Sequence, residues 1–153
     1  MENKISEIDF NSRTFPECSI IQKRFNDIDG LRHINNGVQQ SYFDIGRANY
    51  LKRIYGEYFY CSEEVLLVAS YKTDFKAQIK FEDKIEVCSS IYHLGNKSLR
   101  MIQVLRGIDN GKIYTISDSV MVSVNLKTGN SIQLPIQWRE KILEIEQNNN
   151  VSQ

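Results

Sequence analysis

The stretch FNDIDGLRHINNGVQQSYFDIGRANYLKRIYG, Phe25 to Gly56, joins a loop dense in polar chemistry to a run with helical periodicity. From Asn36 onward, Val38, Tyr42, Ile45 and Ala48 fall on one stripe, and Phe43, Tyr50, Leu51 and Ile54 widen it. Asn35 or Asn36 stands where an N-cap would accept from the orphan amides of the first turn. Gly56 stands where a C′ residue would end the helix. The pattern predicts one helix of about five turns. Gly46 lies inside it at a cost of about 1 kcal/mol against alanine, which points to tight packing on a sheet.

Downstream the period becomes two. Val65 to Tyr71 predicts a buried strand, and Ile79, Phe81, Ile85, Val87 and Ile91 keep one parity, with a bend at Glu82-Asp83. Leu99 to Ile108 and Ile113 to Leu126 follow, joined at Asp109-Asn110-Gly111, where Asn-Gly suits a type I′ hairpin turn. Cys18 to Phe25 precedes the loop as a first strand, and Lys127 to Asn130 forms a further turn. Pro135 suits position N1 of a last helix whose face carries Ile136, Trp138 and Leu143. Residues up to about Pro16 read as a loose lead-in, and the tail QNNNVSQ has nothing to bury and should fray. Strand, long helix, then at least four antiparallel strands is an α+β order. With no linker or repeat, residues 1–153 form one domain, its ordered core spanning about 17–146. Leu99, Met101 and Leu105 oppose Ile102 and Val104 in parity, so the sheet is apolar on both faces. One helix covers one face, and a second subunit is the simplest cover for the other.

At 153 residues one core suffices. Lys+Arg and Asp+Glu both number 19, so no basic surface argues for nucleic acid. No run of about 18 apolar residues suits a membrane span. Cys18, Cys61 and Cys88 are odd in number, lack CxxC spacing and follow no secretory leader pattern, so they read as reduced, packed thiols in a cytoplasmic protein.

Within the loop, Asp27-Ile28-Asp29-Gly30 only partly matches an EF-hand. Ending the run at Gly30 puts Phe25 in the first ligand position, and starting at Asp27 puts Val38 where the closing glutamate belongs. A transition metal would have Asp27, Asp29 and His33, with only His93 left to add nitrogen, so no metal is expected. Two compatible uses remain. The loop can cap the helix, and a helix N-terminus can also hold a developing oxyanion beside a carboxylate that attacks or activates water.

The series RFNDIDGLRHINNGVQQSYFDIGRANYLKRIYG closely resembles hotdog-fold acyl-CoA thioesterases of the hydroxybenzoyl-CoA thioesterase type. Asp27, Asp29, His33, Asn35, Asn36, Tyr42, Phe43, Asp44 and Arg47 stand at the matching places. The resemblance continues through FKAQIKFEDKIEV, HLGNKSL and NLKTGNSIQLP, from about Cys18 to Ile145. It implies a long helix wrapped by a curved antiparallel sheet, assembled as a homodimer or homotetramer. It further implies hydrolysis of an acyl-CoA or acyl carrier protein thioester, with no cofactor beyond the CoA of the substrate. Asp29 would be nucleophile or general base, the Asn36 backbone N–H would polarise the thioester carbonyl, and His33 would fix the loop or assist. Asp27 is assigned to loop structure. Lys97, Ser98 and Arg100 would meet the CoA moiety, with the two cations pairing its phosphates. Arg32 replaces the glycine usual before the histidine. Gln39 and Gln40 replace an aromatic and an aliphatic residue, which would make the acyl pocket more polar or reshape it. A hotdog module that binds thioesters without cleaving them is the alternative; the aspartate-first loop argues against a histidine-based dehydratase.

Overall fold

The computed structural model describes residues 8–10, 12–56 and 62–153. Chain order is β1 (Glu17–Ile20), a 3-10 turn (Phe25–Asp27), α1 (Asn36–Tyr55), β2 (Glu64–Phe75), β3 (Ile85–Leu94), β4 (Ser98–Gly107), β5 (Ile113–Asn125) and α2 (Ile136–Ile145). The strands form one antiparallel sheet in the order β1-β3-β4-β5-β2, with α1 packed on it. This is the α+β architecture expected.

Asn35 caps α1 as its spacing suggests, its Oδ1 accepting from the Gly37 and Val38 N–H groups at 2.7 and 3.3 Å. Gly56 ends it at φ 61°, a left-handed conformation that glycine adopts without steric cost. The buried face is Gln39, Tyr42, Phe43, Gly46, Tyr50, Leu51 and Ile54. The residues expected to widen the stripe are therefore its centre, and Ile45, expected on its midline, is 45% exposed. Gly46 meets the sheet closely: a Cβ there would sit 2.8 Å from Val87 Cγ2 and 2.9 Å from Ser89 Oγ.

β3 and β4 bury both parities, as their two-faced pattern predicts. The cover of the second face differs from expectation. Cys88, Tyr92, Ile102, Val104 and Ile116 are packed by Ile8, Phe10, Phe15 and Ile113 of the same chain. The described residues before Pro16 are thus not a loose lead-in, because three apolar side chains at spacings 2 and 5 suffice to lie along the sheet. Arg13 ties this segment down, donating to Ser90 Oγ and the Ile91 carbonyl, both at 2.9 Å.

The C-terminal tail is also held, contrary to the fraying expected of its composition. Leu94 N–H donates to Ser152 O and Ser152 N–H to Tyr92 O, so the tail pairs with the part of β3 that β1 leaves open. Buried Glu146, just past α2, accepts from Tyr50 Oη at 2.6 Å, Ser90 Oγ at 2.7 Å and Ile91 N–H at 2.7 Å. Main-chain hydrogen bonds and one buried carboxylate hold the tail, with Val151 packed against the core.

Four further expectations are corrected. Ile79 is buried and Phe81 is 43% exposed, but both precede β3, which begins only at Ile85. In the β4–β5 turn Gly111 has φ 65° while Asn110 does not share it, so the turn is not type I′; Asn110 Oδ1 instead accepts from Lys112 N–H at 2.9 Å. Pro135 is the N-cap of α2 rather than its first residue, and the buried face is Trp138 and Ile142, with Ile136 60% exposed. Finally, Cys18 and Cys88 are not reduced thiols: they form a disulfide across the β1–β3 pair. Opposition in register brings together cysteines 70 residues apart in the chain, which spacing alone does not reveal. Cys61 lies outside the described residues.

Candidate active site

A tight turn builds the loop. Ile28 bridges Ile34, Asp29 N–H donates to His33 O at 2.9 Å, and Arg32 N–H donates to Asp29 O at 3.0 Å. Arg32, where the resembled family has glycine, takes φ 65°, so an arginine occupies a left-handed conformation that costs it about 1–2 kcal/mol. The two aspartates diverge here.

Asp27 is 1% exposed and spends both oxygens on structure. Oδ2 accepts from Arg24 N–H at 2.8 Å and Tyr42 Oη at 2.6 Å, and Oδ1 from Arg24 Nε at 3.2 Å. Burial alone would raise its pKa. These hydrogen bonds and the Arg24 charge outweigh burial and hold it below the ordinary carboxylate value. Its carbonyl accepts from Asn35 N–H at 2.9 Å, which fixes the residue that caps α1.

Asp29 is half-buried and uses only Oδ1, accepting from Leu31 N–H at 2.8 Å and His33 N–H at 3.3 Å. Two amides thus set the orientation of the carboxylate while Oδ2 carries no protein hydrogen bond among the described residues. The loop-fixing bonds of His33 run through its main chain, and the residue lines the cleft. At the start of α1, Asn35 takes the Gly37 and Val38 amides, while the Asn36 N–H has no protein acceptor among the described residues. No acidic side chain occupies the first turn, so the helix dipole there is uncompensated.

These groups share a cleft of about 400 Å³ that includes Asp29, His33, Asn36, Gln39, Phe75 and Lys76. The expected Asp29, His33, Asn36 and Gln39 are thus brought together. Gln39 also ties α1 to the sheet: its Oε1 accepts from Thr115 Oγ1 at 2.6 Å and its Nε2 donates to Ile34 O at 3.3 Å. Gln40 does not line the cleft, and its Nε2 donates to Thr73 Oγ1 at 2.9 Å. Phe75 and Lys76, at the end of β2, are additions to the expected set. Their only signal in the sequence is a place inside the resembled stretch FKAQIKF.

The expected CoA contacts lie elsewhere. Lys97 and Ser98 sit at the β3–β4 hairpin, the far end of the sheet from the loop, which anchors beside the start of β3 through Ile21 N–H to Ile85 O. Arg100 is a correction. Its guanidinium is ion-paired to buried Asp118 and lies 5.6 Å from the Tyr92 ring, so it is not a cation free for phosphate. Tyr92 Oη completes this cluster, donating to Asp118 at 2.8 Å.

A carboxylate aimed by two amides, beside a helix N-terminus that keeps one first-turn amide free, can deliver a base or nucleophile to a carbonyl whose oxygen the helix stabilises. The family model of the thioesterase-like superfamily matches residues 23–145, across loop, helices and sheet. The chain belongs to the thioesterase-like superfamily. Among solved structures, a thioesterase from Thermus thermophilus complexed with coenzyme A and Zn is 32% identical with TM-score 0.76, covering 87% of this chain and 96% of its own. A predicted thioesterase from Bacillus stearothermophilus is 26% identical with TM-score 0.73, over 84% and 94%. A DHNA-CoA thioesterase from Staphylococcus aureus, 15% identical with TM-score 0.75 over 89% and 97%, shares the fold. No curated protein matches in sequence. This member of the superfamily thus has the hotdog fold, and thioester hydrolysis is its activity class. Among the described residues no helix is long and apolar enough to cross a membrane.

Proposed function

We propose that this protein hydrolyses an acyl-CoA thioester, with Asp29 as general base or nucleophile and the Asn36 N–H as oxyanion donor. One observation carries it: Asp29 is positioned by amides at one oxygen and open at the other, in a cleft that also holds the free first-turn amide of α1. The carboxylate either attacks the thioester carbon or takes a proton from water that does. In both cases negative charge moves to the carbonyl oxygen, where a preorganised N–H favours it. CoA as the thiol carrier is supported by the CoA bound to the Thermus relative.

A homodimer is part of the reading. Among the described strands β2 is an edge, its Leu66 N–H donating to Tyr55 Oη at 2.7 Å, and it exposes Leu67, Val68, Tyr71 and Phe75. Antiparallel pairing of two β2 edges sets the Phe75 end of one, which lines the cleft, beside the Glu64 end of the other. That end neighbours the β3–β4 hairpin through Leu67, Val122 and Ser98 in register. Lys97 of one protomer would thereby approach a CoA held at the cleft of its partner.

Asp29→Asn tests the assignment, because it keeps the shape and removes the anion. Loss of general base catalysis costs about 10²–10⁴-fold. The expected result is at least that loss in kcat across a panel of acyl-CoAs, read as thiol release, with an unchanged melting temperature. A folded Asp29→Asn protein that retains turnover within a few-fold of wild type overturns the catalytic role and favours a non-hydrolytic thioester-binding module.

A further inference from the structure

The disulfide lies on the strand that feeds the loop. β1 has four residues and pairs only with β3, through Glu17–Ser89, Cys18–Cys88, Ser19–Val87 and Ile20–Glu86. Its ties to α1 are side-chain contacts: Asn49 Nδ2 donates to Ser19 Oγ at 2.8 Å, and Arg53 pairs with Glu17 at 3.6 Å. Past Ile21 the chain runs directly into Asp27 and Asp29. A covalent bond therefore closes a span of 70 residues holding the loop, α1 and β2, at a point where the native pairing is short.

The two sulfurs differ in access. Cys88 is fully buried among Ile102, Val104 and Ile116, whereas Cys18 is exposed. Arg106 places Nη2 3.6 Å from Cys18 Sγ, and its Nε is held by Glu86 at 2.8 Å. A guanidinium beside a sulfur stabilises the thiolate. Cys18, Glu86 and Cys88 also lie close enough to hold a metal, with ligand atoms within 4.8 Å. Arg106 already engages two of the three, which disfavours a cation there.

We propose that Cys18–Cys88 is a reversible redox staple that sets how firmly β1, and the loop it feeds, are held to the sheet. A small dithiol would act at the exposed end. Its thiolate attacks Cys18 Sγ, the S–S bond breaks, and Cys88 leaves as a thiolate that takes a proton. The second thiol of the reductant then displaces Cys18, which leaves as a thiolate beside Arg106. Two electrons pass to the protein and the reductant closes to a cyclic disulfide. Oxidation by a small disulfide runs the same exchange backwards, starting from the Cys18 thiolate. Calling the loop catalytic rests on the proposed role of Asp29; the staple does not, and its test reads no turnover.

The test compares the whole chain after equilibration with glutathione disulfide and with dithiothreitol. Thiol titration under denaturing conditions should count one free thiol in the first state and three in the second. Closing so long a span should raise the melting temperature of the oxidised form by roughly 8–15 °C. Hydrogen exchange of amides 17–35 should quicken several-fold on reduction, while the centre of β4 stays unchanged. Cys18→Ser should melt with the reduced form and ignore either reagent, and the wild-type comparison needs no variant to fold. Three thiols in both states, a bond that native protein never yields to dithiothreitol, or exchange unchanged over 17–35 each overturns the proposal.

Discussion

Asp27 and Asp29 are two residues apart and have opposite surroundings. Asp27 is buried with three donors and its carbonyl positions the helix cap; Asp29 leaves one oxygen without a protein hydrogen bond among the described residues. The pattern D-x-D cannot separate them, since the difference arises from Arg24 folding back and Tyr42 reaching across from α1. The separation has a pH signature. The Asp27 carboxyl titrates below its ordinary value of about 3.9, so its stabilisation is complete above that pH and fades as pH falls through the folded value. Asp27→Asn should cost about 1–3 kcal/mol at neutral pH, because donors remain and the ionised acceptor is gone. Urea unfolding from about pH 6 to below 3 should show the gap between wild type and variant closing only at the acid end. A gap independent of pH would mean that the carboxylate charge adds nothing.

At the scale of elements, the long helix is legible because its cap, its terminal glycine and its period all agree within one stretch. Which stripe is buried is less so. A helix with apolar residues around most of its girth leaves the choice to the sheet, and the sheet takes the side that includes Gln39 and Gly46. The interface there is partly polar: Gln103 Nε2 donates to the Phe43 carbonyl and to Ser89 Oγ, both at 2.9 Å. Such partners belong to different elements, α1, β3 and β4, so no local pattern shows them. Gly46 is legible, since only close packing explains a mid-helix glycine. Gly46→Ala should gain about 1 kcal/mol of helix propensity and lose about 1–3 kcal/mol to overpacking against Val87, a short branched side chain on a central strand. The expected result is a net loss of stability in urea and a fall in kcat as α1 lifts with its N-terminus. Higher stability with unchanged turnover would show that the sheet yields at this point.

At the scale of the whole molecule, the two-faced strands do announce a second cover, but not where it comes from. The chain supplies it from Ile8, Phe10 and Phe15, apolar side chains too few and too spread to mark a structural segment. Among the described strands β2 is left as an open edge, a consequence of strand order rather than of any one stretch: it follows the helix in sequence yet pairs with β5 alone among them. Leu67 and Tyr71 are 47% and 57% exposed there, and their register partners place them on opposite faces of the strand. Replacing both by aspartate adds charges to an edge that no further strand joins among the described residues, so the single subunit should fold as before. Two such edges brought together would each carry two carboxylates beside their counterparts, and charges of one sign directly opposed across a strand pair are destabilising. Light scattering should therefore drop from a multiple of 17.8 kDa to that of one chain. Turnover should fall with it, because the cleft at Phe75 would lose the partner's hairpin, and Asp29 would be left with a site open to water on one side. A wild-type chain already monomeric at micromolar concentration would overturn the dimer, and a variant that stays assembled and active would place the contact elsewhere on the surface.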